Sequence, residues 1–95
     1  MDQAVREQIL AAIDRWAATQ LPRPCAGARL HTETLASVLD RIAHAHAQAW
    51  QALTTRERRD PQIHAAWERL SQTLGGYADL NEEITAGRRR LPTRR

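Results

Sequence analysis

The stretch from Arg29 to Leu53 constrains the fold more than any other part of the chain. At about 100° per residue, its apolar side chains cover roughly 220° of a helix, about twice the arc that a surface helix needs. Such a helix must be covered from two directions, so the pattern predicts the central helix of a small bundle. The largest of these apolar residues are Leu35, Val38, Leu39, Ile42, Trp50 and Leu53.

Two capping signals place the first two helices. Asp2 can cap a helix that runs to Gln20 and ends there, because Pro22 and Pro24 push their predecessors out of the helical region. Thr32 is predicted to cap the central helix. Trp50 falls on the side of that helix that we expect to be buried.

A third helix is predicted from the Asp60-Pro61 pair, which combines an N-cap aspartate with proline at the first helical position. Gly87 is expected to close this helix and Pro92 to prevent its resumption. Gly75-Gly76 lies in its middle, which predicts a kink or the close approach of another backbone. The fold class is therefore all-α: a three-helix antiparallel (up-down-up) bundle.

A chain of 95 residues makes one domain and buries only about 60–65% of its unfolded surface. Because two short helices cannot cover the whole apolar arc of the central helix, we expect the core to be completed by oligomerisation. The bundle domain is assigned to residues 1–87. Residues 88–95 are expected to form a flexible arginine-rich tail, since Leu91 is their only large apolar residue.

Composition excludes several classes of protein. No apolar run approaches the roughly 20 residues that span a bilayer, and the N-terminus has no hydrophobic signal core. We therefore expect a cytoplasmic protein without membrane contact. The single cysteine, Cys25, excludes an internal disulfide, and we expect no zinc site. All 14 basic residues are arginine, and five of them lie in the last eight positions.

The histidines do not predict a metal site. His44 and His46 are two residues apart, so on a helix they point about 200° away from each other and cannot chelate one ion. His46 lies at the centre of the apolar face. There it is expected to be either a neutral core residue with one hydrogen-bond partner or a residue with a ligand or catalytic role. We assign no metal, no cofactor and no catalytic residue.

Asn81 is the second polar residue predicted on an apolar face. If the helices alternate in direction, it lies at one end of the bundle with aromatic and hydrogen-bonding groups, as in a small-molecule pocket. The alternative is that Asn81 and His31 satisfy carbonyl groups of the Pro22–Leu30 connection. The candidate ligand or partner pocket consists of Trp16, His31, Thr32, Glu33, His46, Tyr77 and Asn81.

The C-terminal arginines are the third candidate site. A flexible arginine cluster can bind phosphate or hold nucleic acid without sequence preference, although a charged terminus that is simply solvated explains the same residues. The segment lacks an aromatic residue for stacking on bases. The candidate contacts are Arg88, Arg89, Arg90, Arg94 and Arg95.

Several blocks of the sequence resemble a bacterial family of unknown function, domain-of-unknown-function family 4254. The blocks are the HTET run (31–34), the VLDR run (38–41), the GYADL run (76–80) and the AGRRRLP ending (86–92). Ala36 stands where glycine is expected in that family. The resemblance supports the helical fold and implies a bacterial cytoplasmic setting. It implies no activity.

Three classes of function remain. The favoured one is a small non-enzymatic accessory protein of a bacterial pathway that acts by protein–protein association, as a homo-oligomer or with a protein partner. The alternatives are a nucleic-acid binder using the arginine tail and a small helical enzyme with a pocket at the bundle end. The opening AVREQILAAIDRWA resembles the first helix of small helical chorismate mutases, with Arg6 and Arg15 as carboxylate clamps. That family also relies on a lysine, which this chain lacks.

Overall fold

A computed structural model describes residues 2–57 and 59–92 and confirms the all-α, three-helix class. Its helices are α1 (Gln3–Gln20), α2 (Leu35–Thr55) and α3 (Pro61–Thr85), and its two short strands are β1 (Arg29–Leu30) and β2 (Arg89–Arg90). No helix in the described part of the chain is long and apolar enough to cross a membrane.

Two helices begin at the residues that the sequence predicts. The Asp2 side chain accepts a hydrogen bond from the Ala4 N–H at 3.3 Å, and the Asp60 side chain accepts one from the Gln62 N–H at 2.8 Å. Pro61 occupies the first turn of α3, as expected for a residue that has no N–H to satisfy. These starts are local features, and each depends on residues close together in sequence.

The central helix begins later than the capping pattern predicts. Thr34 caps it, accepting a hydrogen bond from the Ser37 N–H at 3.2 Å, and the assignment of this role to Thr32 is wrong. The reason is a contact distant in sequence. The His31 N–H donates to the Arg90 carbonyl at 2.8 Å, which holds the chain extended immediately before Thr32.

Helices α1 and α2 pack in opposite directions. Arg6 forms an ion pair with Asp40, and the Asp14 Oδ1 atom accepts a hydrogen bond from the Ala36 N–H at 2.9 Å. The later residue of α1 thus meets the earlier residue of α2. Within the described residues, α1 makes its helix–helix contacts with α2 and none with α3. Both of these polar contacts lie in the N-terminal half of α2, so α1 covers only that half.

The core lies between α2 and α3, and half of its buried residues are alanine. One cluster of buried residues lies near the C-terminal end of α2 and the other near its N-terminal end. In the described part of the chain, no large side chain is fully buried. The first cluster consists of Ala45, Ala49, Ala52, Ala66 and Leu70. The second consists of Val38, Leu80 and Ile84, with Leu21, Ile42, Tyr77 and Leu91 packed against it.

The segment after Gly87 is packed onto the bundle, which differs from the expected boundary at that residue. Strand β2 pairs in parallel with β1, with Arg29 opposite Arg89. Leu91 contacts the second core cluster. The strands are two residues long and are held by backbone hydrogen bonds, so the hydrophobic pattern does not reveal them. Residues 93–95 lie outside the described residues.

The two glycines within α3 differ from the glycine that follows the helix. The helix continues through Gly75 and Gly76, and a Cβ built on either would meet nothing within 4 Å, so no other backbone among residues 2–57 and 59–92 approaches them. Gly87 follows the C-cap, as predicted, with a φ of +77°. A Cβ on Gly87 would lie 2.8 Å from the Cys25 Sγ atom. Glycine is therefore required at Gly87 but not at Gly75 or Gly76.

The molecule is elongated, measuring 51 × 29 × 17 Å. Its radius of gyration is 15.9 Å, against about 12 Å for a compact domain of this length. Its accessible surface is 7293 Å², against roughly 5,500 Å² expected for a monomer of this mass. A single copy thus leaves much more surface in water than a compact domain does.

Candidate interaction surface

Several large apolar side chains are half exposed. In the described part of the chain, seven such residues are between 44% and 55% exposed. Single exposed leucines are common, but a contiguous exposed apolar patch marks an interaction site. The seven residues are Val5, Ile9, Trp16, Leu30, Trp50, Leu53 and Leu74.

Trp50 lies in a group of aromatic and apolar residues that crosses from α2 to α3. The expectation that it is buried is wrong, because 48% of it is exposed. Its ring meets the Trp67 ring edge to face, with 5.9 Å between centroids and an interplanar angle of 67°. Its indole Nε1–H donates to the His46 Nε2 atom at 2.9 Å. The three rings form a row that crosses from α2 to α3.

His46 is likewise exposed, which corrects its assignment to the centre of the buried face. It does have one hydrogen-bond partner, the Trp50 indole, but at the surface. Because an indole N–H can only donate, the Nε2 atom of His46 accepts this bond. The histidine therefore orients the Trp50 ring.

Helix geometry explains why these residues share one side. The residues of α2 that pack on α3 are Ala45, Ala49 and Ala52, and each is followed by one residue of the patch: His46, Trp50 and Leu53. One position is about 100° around a helix. In α3, Trp67 likewise follows buried Ala66. Because the two helices are antiparallel, the same rotation places both sets on the same side. Leu74 lies seven positions after Trp67, almost two full turns, and so falls on the same side of α3. We call His46, Trp50, Leu53, Trp67 and Leu74 the Trp50 face.

The Trp50 face is exposed because α1 packs only against the N-terminal half of α2. The contacts of α1 reach Ala36 and Asp40, and further along α2 both Ala43 and Ala47 are exposed. The two-sided cover that the sequence demands is thus present only in the N-terminal half of α2. The C-terminal half has α3 on one side and solvent on the other.

Several of the residues predicted to form a small-molecule pocket lie on the surface. Asn81, Trp16 and Thr32 are exposed. The premise that Asn81 lies at the centre of an apolar seam is wrong, because it follows buried Leu80 and lies about 100° away from the core. None of the seven predicted residues lines the cavity at this end of the bundle, which is described below.

The remaining predicted pocket residues support the start of α2. Glu33 forms an ion pair with Arg41 at 2.9 Å. Tyr77 packs against the second core cluster. The His31 backbone N–H bonds the Arg90 carbonyl, while its buried Nε2 atom has no partner among the described residues.

The C-terminal arginines occupy different environments. Arg88 and Arg90 are exposed, whereas Arg89 is half buried and forms an ion pair with Glu83 at 3.4 Å. The strand pairing also places Arg29 beside Arg89, which sequence reasoning missed because a two-residue strand has no hydrophobic pattern. The predicted contacts Arg94 and Arg95 lie outside the described residues. The described residues contain no group of three or more side chains that could hold a metal ion.

The fold and this surface define a small three-helix protein with an incomplete core and an exposed aromatic face. The sequence model of the family described as "Protein of unknown function (DUF4254)" matches residues 1–93. The chain belongs to this family, which confirms the resemblance seen in its sequence blocks. No curated protein and no solved structure matches the chain.

Proposed function

We propose that this protein is a non-enzymatic accessory protein of a bacterial pathway, and that it acts by association through the Trp50 face. The observation that carries the proposal is the row of His46, Trp50 and Trp67 across two helices, in which Trp50 is half exposed, His46 is exposed and Trp67 is partly buried against the core. Aromatic side chains are enriched in protein interfaces because they remove a large apolar area from water with few rotatable bonds.

We propose a second copy of this chain as the occupant of the face. Half of the buried core residues are alanine, and the surface exceeds that expected of a monomer by roughly 1,800 Å², about twice what one partner contributes to a standard interface. A domain that lacks part of its own core is completed most simply by a subunit that is always present. The face carries no permanently charged side chain, so two copies meet without repulsion in a two-fold arrangement.

Thermal unfolding over a hundredfold range of protein concentration tests this function. If the native state is a dimer, the Tm rises with concentration by mass action. Trp50→Glu places a charge in the interface and should remove that dependence. A Tm independent of concentration in the wild-type protein would contradict the second copy and leave the face to a different protein partner.

Nucleic-acid binding is the second candidate, and one observation favours it. Exposed arginines from α1, the first loop and the C-terminal segment converge at one end of the molecule: Arg15, Arg23, Arg29, Arg88 and Arg90. Binding of random oligonucleotides should then weaken steeply with salt, because each phosphate contact releases counterions. Absence of binding at low salt would remove this candidate.

A further inference from the structure

A cavity of about 540 Å³ lies away from the Trp50 face, at the bundle end where α1 terminates. Its walls come from the C-terminal half of α1, the turn from 22 to 24, the start of α2 and the C-terminal segment. This size is typical of small-molecule sites, which range over roughly 300–1,000 Å³. The apolar part of the wall includes Ala18, Leu21, Leu35, Ile84 and Leu91.

The polar part of the wall is strongly basic. Four arginines line the cavity (Arg15, Arg23, Arg89 and Arg90), against one carboxylate, Asp14. The Asp14 Oδ1 atom accepts the Ala36 N–H and so helps to hold α1 on α2. Arg89 pairs with Glu83. The cavity therefore presents an excess of guanidinium groups beside an apolar floor.

The Arg89 guanidinium group is only partly satisfied by the described residues. Its Nη2 atom bonds Glu83, while its Nε atom is buried and has no hydrogen-bond partner among the described residues. A guanidinium group presents several donors in one plane, which suits a carboxylate or phosphate. Arg89 lines the cavity with a partly exposed side chain and therefore still has donors to offer an anion there.

We propose that this cavity binds a small amphipathic anion: an apolar chain or ring ending in a carboxylate or phosphate group. The arginines bind the anionic oxygens, and the leucine and isoleucine side chains pack against the apolar body of the ligand. Arg15 belongs to α1, whereas Arg89 and Arg90 belong to the C-terminal strand, so one ligand contacts both segments. Binding therefore stabilises the docking of the C-terminal strand. This inference is independent of association through the Trp50 face.

Isothermal titration with eight-carbon probes tests the proposal on the full-length protein. Octanoate and octyl phosphate carry the anionic head group and the apolar chain, octanol carries only the chain, and inorganic phosphate carries only the head group. We expect both octyl anions to bind in a saturable manner with one site per chain. The tighter of the two identifies the head group. Octanol and inorganic phosphate should each bind at least tenfold more weakly, because each lacks one of the two interactions.

Two variants and two controls assign the binding to the cavity. The double substitution Arg15→Gln and Arg90→Gln should weaken octyl-anion binding about tenfold or more, since both arginines are exposed and their loss leaves the fold intact. Ala18→Leu should block the cavity. Arg69→Gln on α3 and Trp50→Glu should leave the affinity unchanged, because neither residue lines the cavity.

The proposal is overturned if octanol binds as tightly as octanoate, or if inorganic phosphate binds as tightly as octyl phosphate. It is equally overturned if Trp50→Glu abolishes binding, because the probe would then occupy the Trp50 face. Unchanged affinity in Ala18→Leu would exclude the cavity.

Discussion

A shift of one position along a helix can move a side chain from the core to the surface. Ala49 is completely buried, whereas Trp50, about 100° further round, is half exposed. Both lie within the broad apolar arc that the sequence shows, so periodicity alone cannot tell which edge of the arc a neighbour covers. The two residues singled out as buried polar groups, His46 and Asn81, are exposed for the same reason: each directly follows a buried residue.

At the same scale, Asp60 should make stability depend on pH. The Gln62 N–H donates to this carboxylate, which holds its pKa below the ordinary 3.8, and the neighbouring Arg56 acts in the same direction. The stabilisation is fully present above pH 3.8 and is lost as the pH falls through the lowered folded pKa. In Asp60→Asn the cap is kept but this titration is removed, so the Tm advantage of the wild-type protein over the variant should shrink on acidification.

Circular dichroism melts of both proteins from neutral pH to below pH 3.8 measure this difference. Asp2→Asn is the matched control, because Asp2 also caps a helix but has no arginine hydrogen-bonded to its carboxylate among the described contacts. A Tm difference at Asp60 that grows on acidification would contradict the assignment.

The ends of the helices show which elements can be predicted from the sequence. Asp2, Asp60 and Gly87 act through neighbours in sequence, and all three assignments are confirmed. The start of α2 is different, because it depends on a backbone hydrogen bond between His31 and Arg90, almost 60 positions apart. Short strands held only by such bonds leave no apolar alternation, so the β1–β2 pair could not be predicted.

The two glycines in the middle of α3 and the glycine just after it should respond in opposite directions to alanine. Gly75→Ala and Gly76→Ala should each raise the free energy of unfolding by up to about 1 kcal/mol, because both positions are helical and open. Gly87→Ala should lower it, because the φ is positive and the Cβ would contact Cys25 Sγ. Chemical denaturation measures all three. A loss of stability in Gly75→Ala or Gly76→Ala would show that another chain packs closely against that glycine.

The C-terminal strand should contribute to stability. Deleting residues 88–95 removes the pairing of β2 with β1 and the contact of Leu91 with the core, at a cost of about 1–3 kcal/mol for the apolar side chain alone. Deleting only residues 93–95 is the control and should change the Tm much less. Equal Tm values for the longer deletion and the 95-residue chain would support the flexible tail that the sequence predicts.

At the scale of the whole molecule, the fold class and the family were predictable, whereas the coverage of the central helix was not. The apolar arc of α2 demands cover on two sides, and the sequence says nothing about how far α1 extends along it. In the structure, α1 contacts α2 through a hydrogen bond of Asp14 and an ion pair of Arg6, and it leaves Ala47 and Trp50 uncovered. Within one chain, the C-terminal half of α2 is therefore packed on one side only. For this reason we propose that a second copy covers the other side.

The mass of the protein in solution, measured by light scattering at micromolar concentration, tests whether two copies associate through the Trp50 face. We predict twice the 10.8 kDa of one chain for the wild-type protein and 10.8 kDa for Trp50→Glu. Trp16→Glu is the matched control, since Trp16 is 55% exposed but lies outside the Trp50 face, and it should remain a dimer. A wild-type mass of one chain, or a Trp50→Glu variant that still has the mass of two, would contradict the account.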